Sequence, residues 1–135
     1  MRSALFSLLT LACALSACRT TANESPAGVA QARPILLEAQ RLWRVLEDGV
    51  VTGVVVRFAA ADAPADPTRH YYSVRNALGQ ELGSIDGHGR AWRFEPHQSA
   101  PRFVGTGTVI EGARAILSAG ASAELVEAEL PSNER

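Results

Sequence analysis

Two glycine-punctuated stretches hold the residues best placed to do chemistry. The first is Gly105-Thr106-Gly107-Thr108, which runs into an apolar pattern of helical period. A glycine loop opening into a helix N-terminus can cradle an anion through backbone N–H groups that lack partners inside the helix. A dinucleotide fingerprint would need a third glycine at position 110, where Ile110 stands, and a parallel β-α-β setting. Both requirements fail, so the segment reads foremost as a turn entering a capped helix. The second stretch is Asp86-Gly87-His88-Gly89. Asp86 and His88 could share a metal ion or a small ligand, yet Asp and Gly are also the residues that tight turns select. Asp86, His88, Gly105, Gly107 and Thr108 form the candidate ligand-binding set.

Other catalytic patterns are missing from the sequence. The histidines, His70, His88 and His97, stand at no metal-ligand spacing. Ser73, Ser84, Ser99 and Ser118 lack the Gly-x-Ser-x-Gly context of a nucleophile elbow. A glycosidase needs two placed carboxylates, whereas Asp48, Glu81, Asp86 and Glu95 fall mostly in turns or strand ends, where solvated acids are routine. No catalytic residue, metal or cofactor is expected. Arg57, Arg75, Arg90 and Arg93 fall in strand segments, where they would meet an anionic partner or pair with Glu81 and Glu95 at small gain. Trp43, Tyr72, Trp92 and Phe94 read as core before they read as a binding patch.

The one cysteine chemistry on offer is at the N-terminus. Met1-Arg2 supplies positive charge, and Leu5 to Leu15 form an uncharged apolar run. Small residues, Ser16-Ala17, precede Cys18. These are the parts of a secretory signal peptide. The run is well short of the roughly 20 residues that span a bilayer.

Leu15-Ser16-Ala17-Cys18 closely resembles the bacterial lipobox, Leu-[Ala/Ser]-[Gly/Ala]-Cys. The resemblance covers residues 1–18 only. It implies a lipoprotein precursor cut after Ala17, with diacylglycerol on the Cys18 thiol and often a further acyl chain on the new amino group. Two or more chains hold a protein at a membrane stably, where one does so only marginally. Arg19 follows the cysteine in place of the aspartate that retains lipoproteins at the inner membrane of well-studied Gram-negative bacteria. By the same resemblance, the outer membrane is the expected destination. Cys13 would leave with the signal and Cys18 would be used by lipid, so the mature domain would have neither thiol nor disulfide.

Charge excludes one class of partner. Without Arg2 the mature chain keeps 12 basic residues, all arginine, against 14 acidic ones. That near balance gives no electrostatic footprint for nucleic acid. The expected partners are the membrane, through Cys18, and a protein or envelope component. The expected function is a non-enzymatic, lipid-anchored binding module; the alternative is a small-ligand or metal-binding periplasmic domain.

The elements that must position these residues divide the chain into four parts. Residues 1–17 are the expected signal peptide. Residues 18–34 join the lipidated cysteine to a tether rich in Thr, Ala, Ser, Pro and Gly. Residues 35–119 are one small domain, and 120–135 an acidic tail expected to be frayed, with at most one helical turn near 123–129.

Within the domain, residues 35–47 carry two patterns. Leu36, Ala39, Trp43 and Leu46 fit a helical stripe, while Trp43-Arg44-Val45 alternates ahead of an Asp48-Gly49 hairpin signal. The reading adopted is helix or coil over 35–40 and strand over 41–47. Strands follow at about 50–58, 70–76, 80–85 and 90–95, with a short sixth at 102–104. Thr108 and Glu111 match a capping box, Val109, Ala113, Ile116 and Leu117 share a helical face, and Gly120 is placed to end the helix.

An internal repeat underlies the strands. Trp43-x-Val45, Gly49-x-x-x-Gly53-x-Val55 is matched by Tyr72-x-Val74, Gly79-x-x-x-Gly83-x-Ile85. Each copy reads as a hairpin whose second strand carries a glycine at a bulge or a close backbone approach. The fold class is therefore α+β and β-dominated: an antiparallel meander of five to six strands with one C-terminal helix.

Overall fold

Alternating apolar residues and glycine turns build one antiparallel sheet. The computed structural model describes residues 34–131. The strands are Leu37–Glu47 (β1), Val50–Ala60 (β2), His70–Asn76 (β3), Glu81–Asp86 (β4), Arg90–Arg93 (β5), Arg102–Thr106 (β6) and Glu124–Ala128 (β7). Helix Val109–Leu117 (α1) lies between β6 and β7 in sequence. The sheet order is β6-β5-β4-β3-β2-β1-β7, so six strands form a meander and the seventh returns to pair with the first. The expected α+β meander is therefore present, with one more strand than the sequence suggested.

The repeat has a structural meaning in the register. Val45 lies opposite Gly53, and Val74 lies opposite Gly83. In each hairpin the pairing slips one residue before the glycine, leaving Thr52 and Leu82 as the extra residues. Both glycines thus follow a bulge and face α1. A Cβ on Gly53 would lie 2.6 Å from the Arg75 carbonyl oxygen and 2.7 Å from Leu117 Cδ1. A Cβ on Gly83 would collide with the Trp92 carbonyl oxygen and come within 2.9 Å of Ile116 Cγ2. The repeated glycine is what lets the helix sit close on the sheet. The β1–β2 turn uses positive φ at Asp48 (50°) and Gly49 (79°), the combination a tight hairpin favours.

The repeat's apolar positions form the core. Val45, Val55, Val74, Ile85, Ala91, Ala113, Ile116 and Ala123 are buried as one cluster between sheet and helix. Each large aliphatic side chain buried this way contributes about 1.5–3 kcal/mol. Helix α1 packs against β3, β4, β5 and β6 and touches β2.

Three expectations need correction. Residues 37–40 are strand, not helix or coil. A slip in pairing between Ala39 and Arg41 places a bulge at Gln40, which shifts the alternation and leaves a spacing that imitates a helical stripe. Residues 124–128, expected to be frayed or helical, pair with β1 from Leu46–Glu124 to Leu42–Ala128. Their acidic residues belong to an edge strand, where charge is a common defence against further pairing. Finally, α1 ends at Ser118 in the left-handed conformation (φ 58°), two residues before Gly120. The Gly120 N–H instead donates to Glu47 Oε1 at 2.6 Å, tying the segment after the helix to β1.

Candidate functional site

The two glycine stretches come together at one end of the sheet. Asp86 ends β4, Thr106 ends β6, and Gly107 donates its N–H to the Gly89 carbonyl at 3.0 Å. Asp86, His88, Gly105, Gly107 and Thr108 are thus neighbours in one loop cluster. Beside it lies a pocket of about 160 Å³, lined by Ala91, the 104–107 segment, Glu111, Gly112 and Ala115.

The Asp86 carboxylate is consumed by its own turn. Oδ1 accepts from the His88 N–H at 3.0 Å and from the Arg90 N–H at 2.9 Å. Oδ2 accepts from Arg90 Nε at 2.7 Å and forms an ion pair with its terminal nitrogen at 2.6 Å. Burial alone would raise the Asp86 pKa, but bonds from the Arg90 side chain and from the Arg90 and His88 backbones outweigh it and hold the carboxyl below its usual range. His88 is exposed, and it is its backbone N–H that meets Asp86. Asp86 and His88 therefore build a turn together. Among the described residues, no group of three or more His, Cys, Asp or Glu side chains is arranged to hold a metal.

The helix N-terminus is likewise filled from within. Thr108 caps α1: its hydroxyl accepts from the Glu111 N–H at 3.4 Å, and Glu111 Oε2 accepts from the Thr108 N–H at 2.7 Å and its hydroxyl at 2.8 Å. The same carboxylate oxygen would lie 2.5 Å from a Cβ at Gly107. An external anion would need that position. The Thr108 bonds hold Glu111 below the usual carboxylate range, so it stays charged at neutral pH. The pocket presents a carboxylate over a small apolar floor. It suits a hydrogen-bond donor or a small cation, not the anion that the glycine loop first suggested.

The strand arginines do not share one face. Register puts Arg57 and Arg93 on the helix side, with Arg75 and Arg90 on the other. Arg93 reaches Ser118 at 2.7 Å and Glu95 at 3.8 Å, and Arg75 bonds Ser73 at 3.2 Å. Glu81, an expected arginine partner, accepts instead from the Tyr71 hydroxyl at 3.0 Å. The aromatics divide too. Trp43 and Tyr72 stand on the helix side and pack on the core, with ring centroids 6.4 Å apart across β2. Trp92 stands on the opposite face, edge-on to Phe103 at 6.1 Å and 5.5 Å from the Arg90 guanidinium. Phe94 lies just past β5 and is exposed.

No protein-family model, curated protein or solved structure matches the chain. Residues 1–33, with the expected signal peptide, Cys18 and nearly all of the expected tether, lie outside the described residues. Within those residues, no helix is long and apolar enough to cross a membrane.

Proposed function

We propose that the chain is a lipoprotein of the bacterial cell envelope, anchored through lipid on Cys18, whose sheet domain is a non-enzymatic binding module. The observation that carries this reading is the run Leu5–Leu15 ending in Leu15-Ser16-Ala17-Cys18. The tether from Arg19 to Pro34 is 16 residues, roughly 50 Å when extended and 20–25 Å as a coil. That reach lets the domain meet a partner clear of the lipid surface. The binding half of the reading is supported by the employment of the candidate groups. Asp86 and Glu111 are engaged in bonds that shape turns and caps, which suits a scaffold better than a proton-transfer site.

Crosslinking in intact envelopes, followed by capture of the full-length protein, tests the binding half. A discrete crosslinked species that disappears when surface residues of the sheet are changed is the expected result. Hydrolysis of ester, peptide or glycan substrates by the purified chain, abolished by loss of one histidine or acid, would overturn it.

A second reading, a small-ligand domain, draws on the meeting of the loops at the 160 Å³ pocket. The Glu111 carboxylate favours a small amine or a monovalent cation there. Thermal shifts with such probes separate the two readings, because a scaffold gives none at this pocket.

A further inference from the structure

The helix covers only part of its face of the sheet. Beyond it, towards the end where β2 meets β3, the same face carries Arg41 from β1, Arg57 from β2, and Tyr72 and His70 from β3, with Trp43 alongside. Arg41 and Arg57 are direct cross-strand partners. Like charges placed opposite each other on a sheet destabilise it.

These two cations are poorly neutralised. Arg41 has Glu127 of β7 at 3.8 Å, in an exposed pair. Arg57 forms no ion pair among the described residues, and its Nε is buried without a hydrogen-bond partner. A buried donor left unpaired costs the full loss of its hydration. Such a group beside a second cation is a place where an acceptor is owed.

The surroundings say what kind of acceptor fits. Trp43 and Tyr72 meet across β2 at 6.4 Å, and His70 stands edge-on to Tyr72 at 6.4 Å. Three rings in a row flank the arginine pair. Glu38, opposite Ala59, and Glu127, opposite Trp43, are carboxylates at the margins of this part of the face. A guanidinium offers N–H groups in a planar fork that matches phosphate and carboxylate oxygens. The rings offer flat apolar surface beside it.

We propose that Arg57 and Arg41, with Trp43, Tyr72 and His70, form a binding site for a phosphate or carboxylate group carried on a flat or apolar body. Arg57 is the primary anion contact, Arg41 the second, and Glu127 a competitor that ligand displaces. The site gives the binding module a ligand class. It rests on that reading only for the idea that the ligand belongs to the envelope; the geometry stands without the anchor.

Trp43 and Trp92 are the two tryptophans, and Trp92 is on the other face. A Trp92→Phe background therefore leaves Trp43 as the reporter. The full-length chain is reconstituted in phosphatidylcholine vesicles, and Trp43 emission is followed on adding phenyl phosphate or benzoate. A parallel arm replaces part of the lipid with phosphatidylglycerol. A saturable change with the soluble probes supports a small anionic ligand, and one with phosphatidylglycerol supports a lipid headgroup. Either should weaken at least tenfold in Arg57→Gln, weaken less in Arg41→Gln, strengthen in Glu127→Gln and be unchanged in Arg44→Gln, whose side chain is on the opposite face. Without ligand, Arg57→Met should raise the melting temperature, because it removes the unpaired donor and the like-charge pair. No saturable change with any probe, a change undiminished in Arg57→Gln, or a lowered melting temperature in Arg57→Met would overturn the proposal. None of these results bears on lipidation, which is read from Cys18 alone.

Discussion

Two glycines and one aspartate each act on their immediate surroundings. Gly83 is closed in by the Trp92 carbonyl oxygen and Arg93 Cα, which are backbone, and by Ile116. Gly53 meets the Arg75 carbonyl but otherwise the flexible end of Leu117. Alanine at either position overpacks the interface, at about 1–3 kcal/mol. Gly83→Ala should cost more than Gly53→Ala, as urea denaturation of the two variants would show. Asp86 acts through charge. Its folded pKa is depressed, so its contribution is fully present above the unfolded value near 3.9 and is lost as pH falls through the lower folded value. The urea midpoint should fall on acidification below about pH 4. Asp86→Asn should flatten part of that slope, and Glu111, depressed for a similar reason, supplies another part. At this scale the sequence was only half legible. The five candidate residues do converge, but the Asp86 carboxylate and the Thr108 hydroxyl are spent on turn and cap, and the exposed His88 contributes only its backbone N–H. The anomalous residue, Arg57, looked like any strand arginine, because its isolation follows from register with Arg41 and from the position of the helix.

Secondary structure was legible wherever one rule acted alone. The hairpins showed through period-two alternation and glycine turns, and the helix through its Thr108–Glu111 box, which the hydrogen bonds confirm. Thr108→Ala should destabilise the domain by about 0.5–2 kcal/mol, measurable by thermal or urea unfolding. Two rules acting together hid the rest. The Gln40 bulge broke the alternation of β1, and the glutamates of β7 disguised an edge strand as a solvated tail. That strand is integral to the fold. Ala123, just before it, is fully buried, its carbonyl accepts from the Arg114 guanidinium, and Leu125 packs on the core. Ending the chain at Ala119 removes the buried Ala123 and the half-buried Leu125 and should therefore cost about 1.5–3 kcal/mol. It should also expose the β1 edge to pairing with other chains. Light scattering during refolding would detect this as concentration-dependent aggregation absent from the full chain.

At the scale of the whole molecule, the sheet is open, with β6 and β7 as its edges and a helix on part of one face. The helix-free face carries Trp92 and Phe103, and the uncovered part of the helix side carries the arginine pair and its rings. The α+β, strand-dominated class followed from the repeat, because two hairpins of the same design stack their apolar faces into one layer that a single helix can cover. Function did not follow in the same way. The proposed anchor rests on a short linear signal, readable without a fold, whereas a binding surface depends on which strands lie side by side. Lipid on Cys18 is the central proposal for this chain, and acyl labelling tests it most directly. Cells producing the chain are fed a clickable fatty acid, and envelope and soluble fractions are compared for wild type and Cys18→Ala. Wild type should be labelled and stay with the envelope, while Cys18→Ala should be unlabelled and leave the membrane fraction on a high-salt wash. An unlabelled wild type, or a Cys18→Ala variant still held in the membrane after that wash, would contradict the lipoprotein reading.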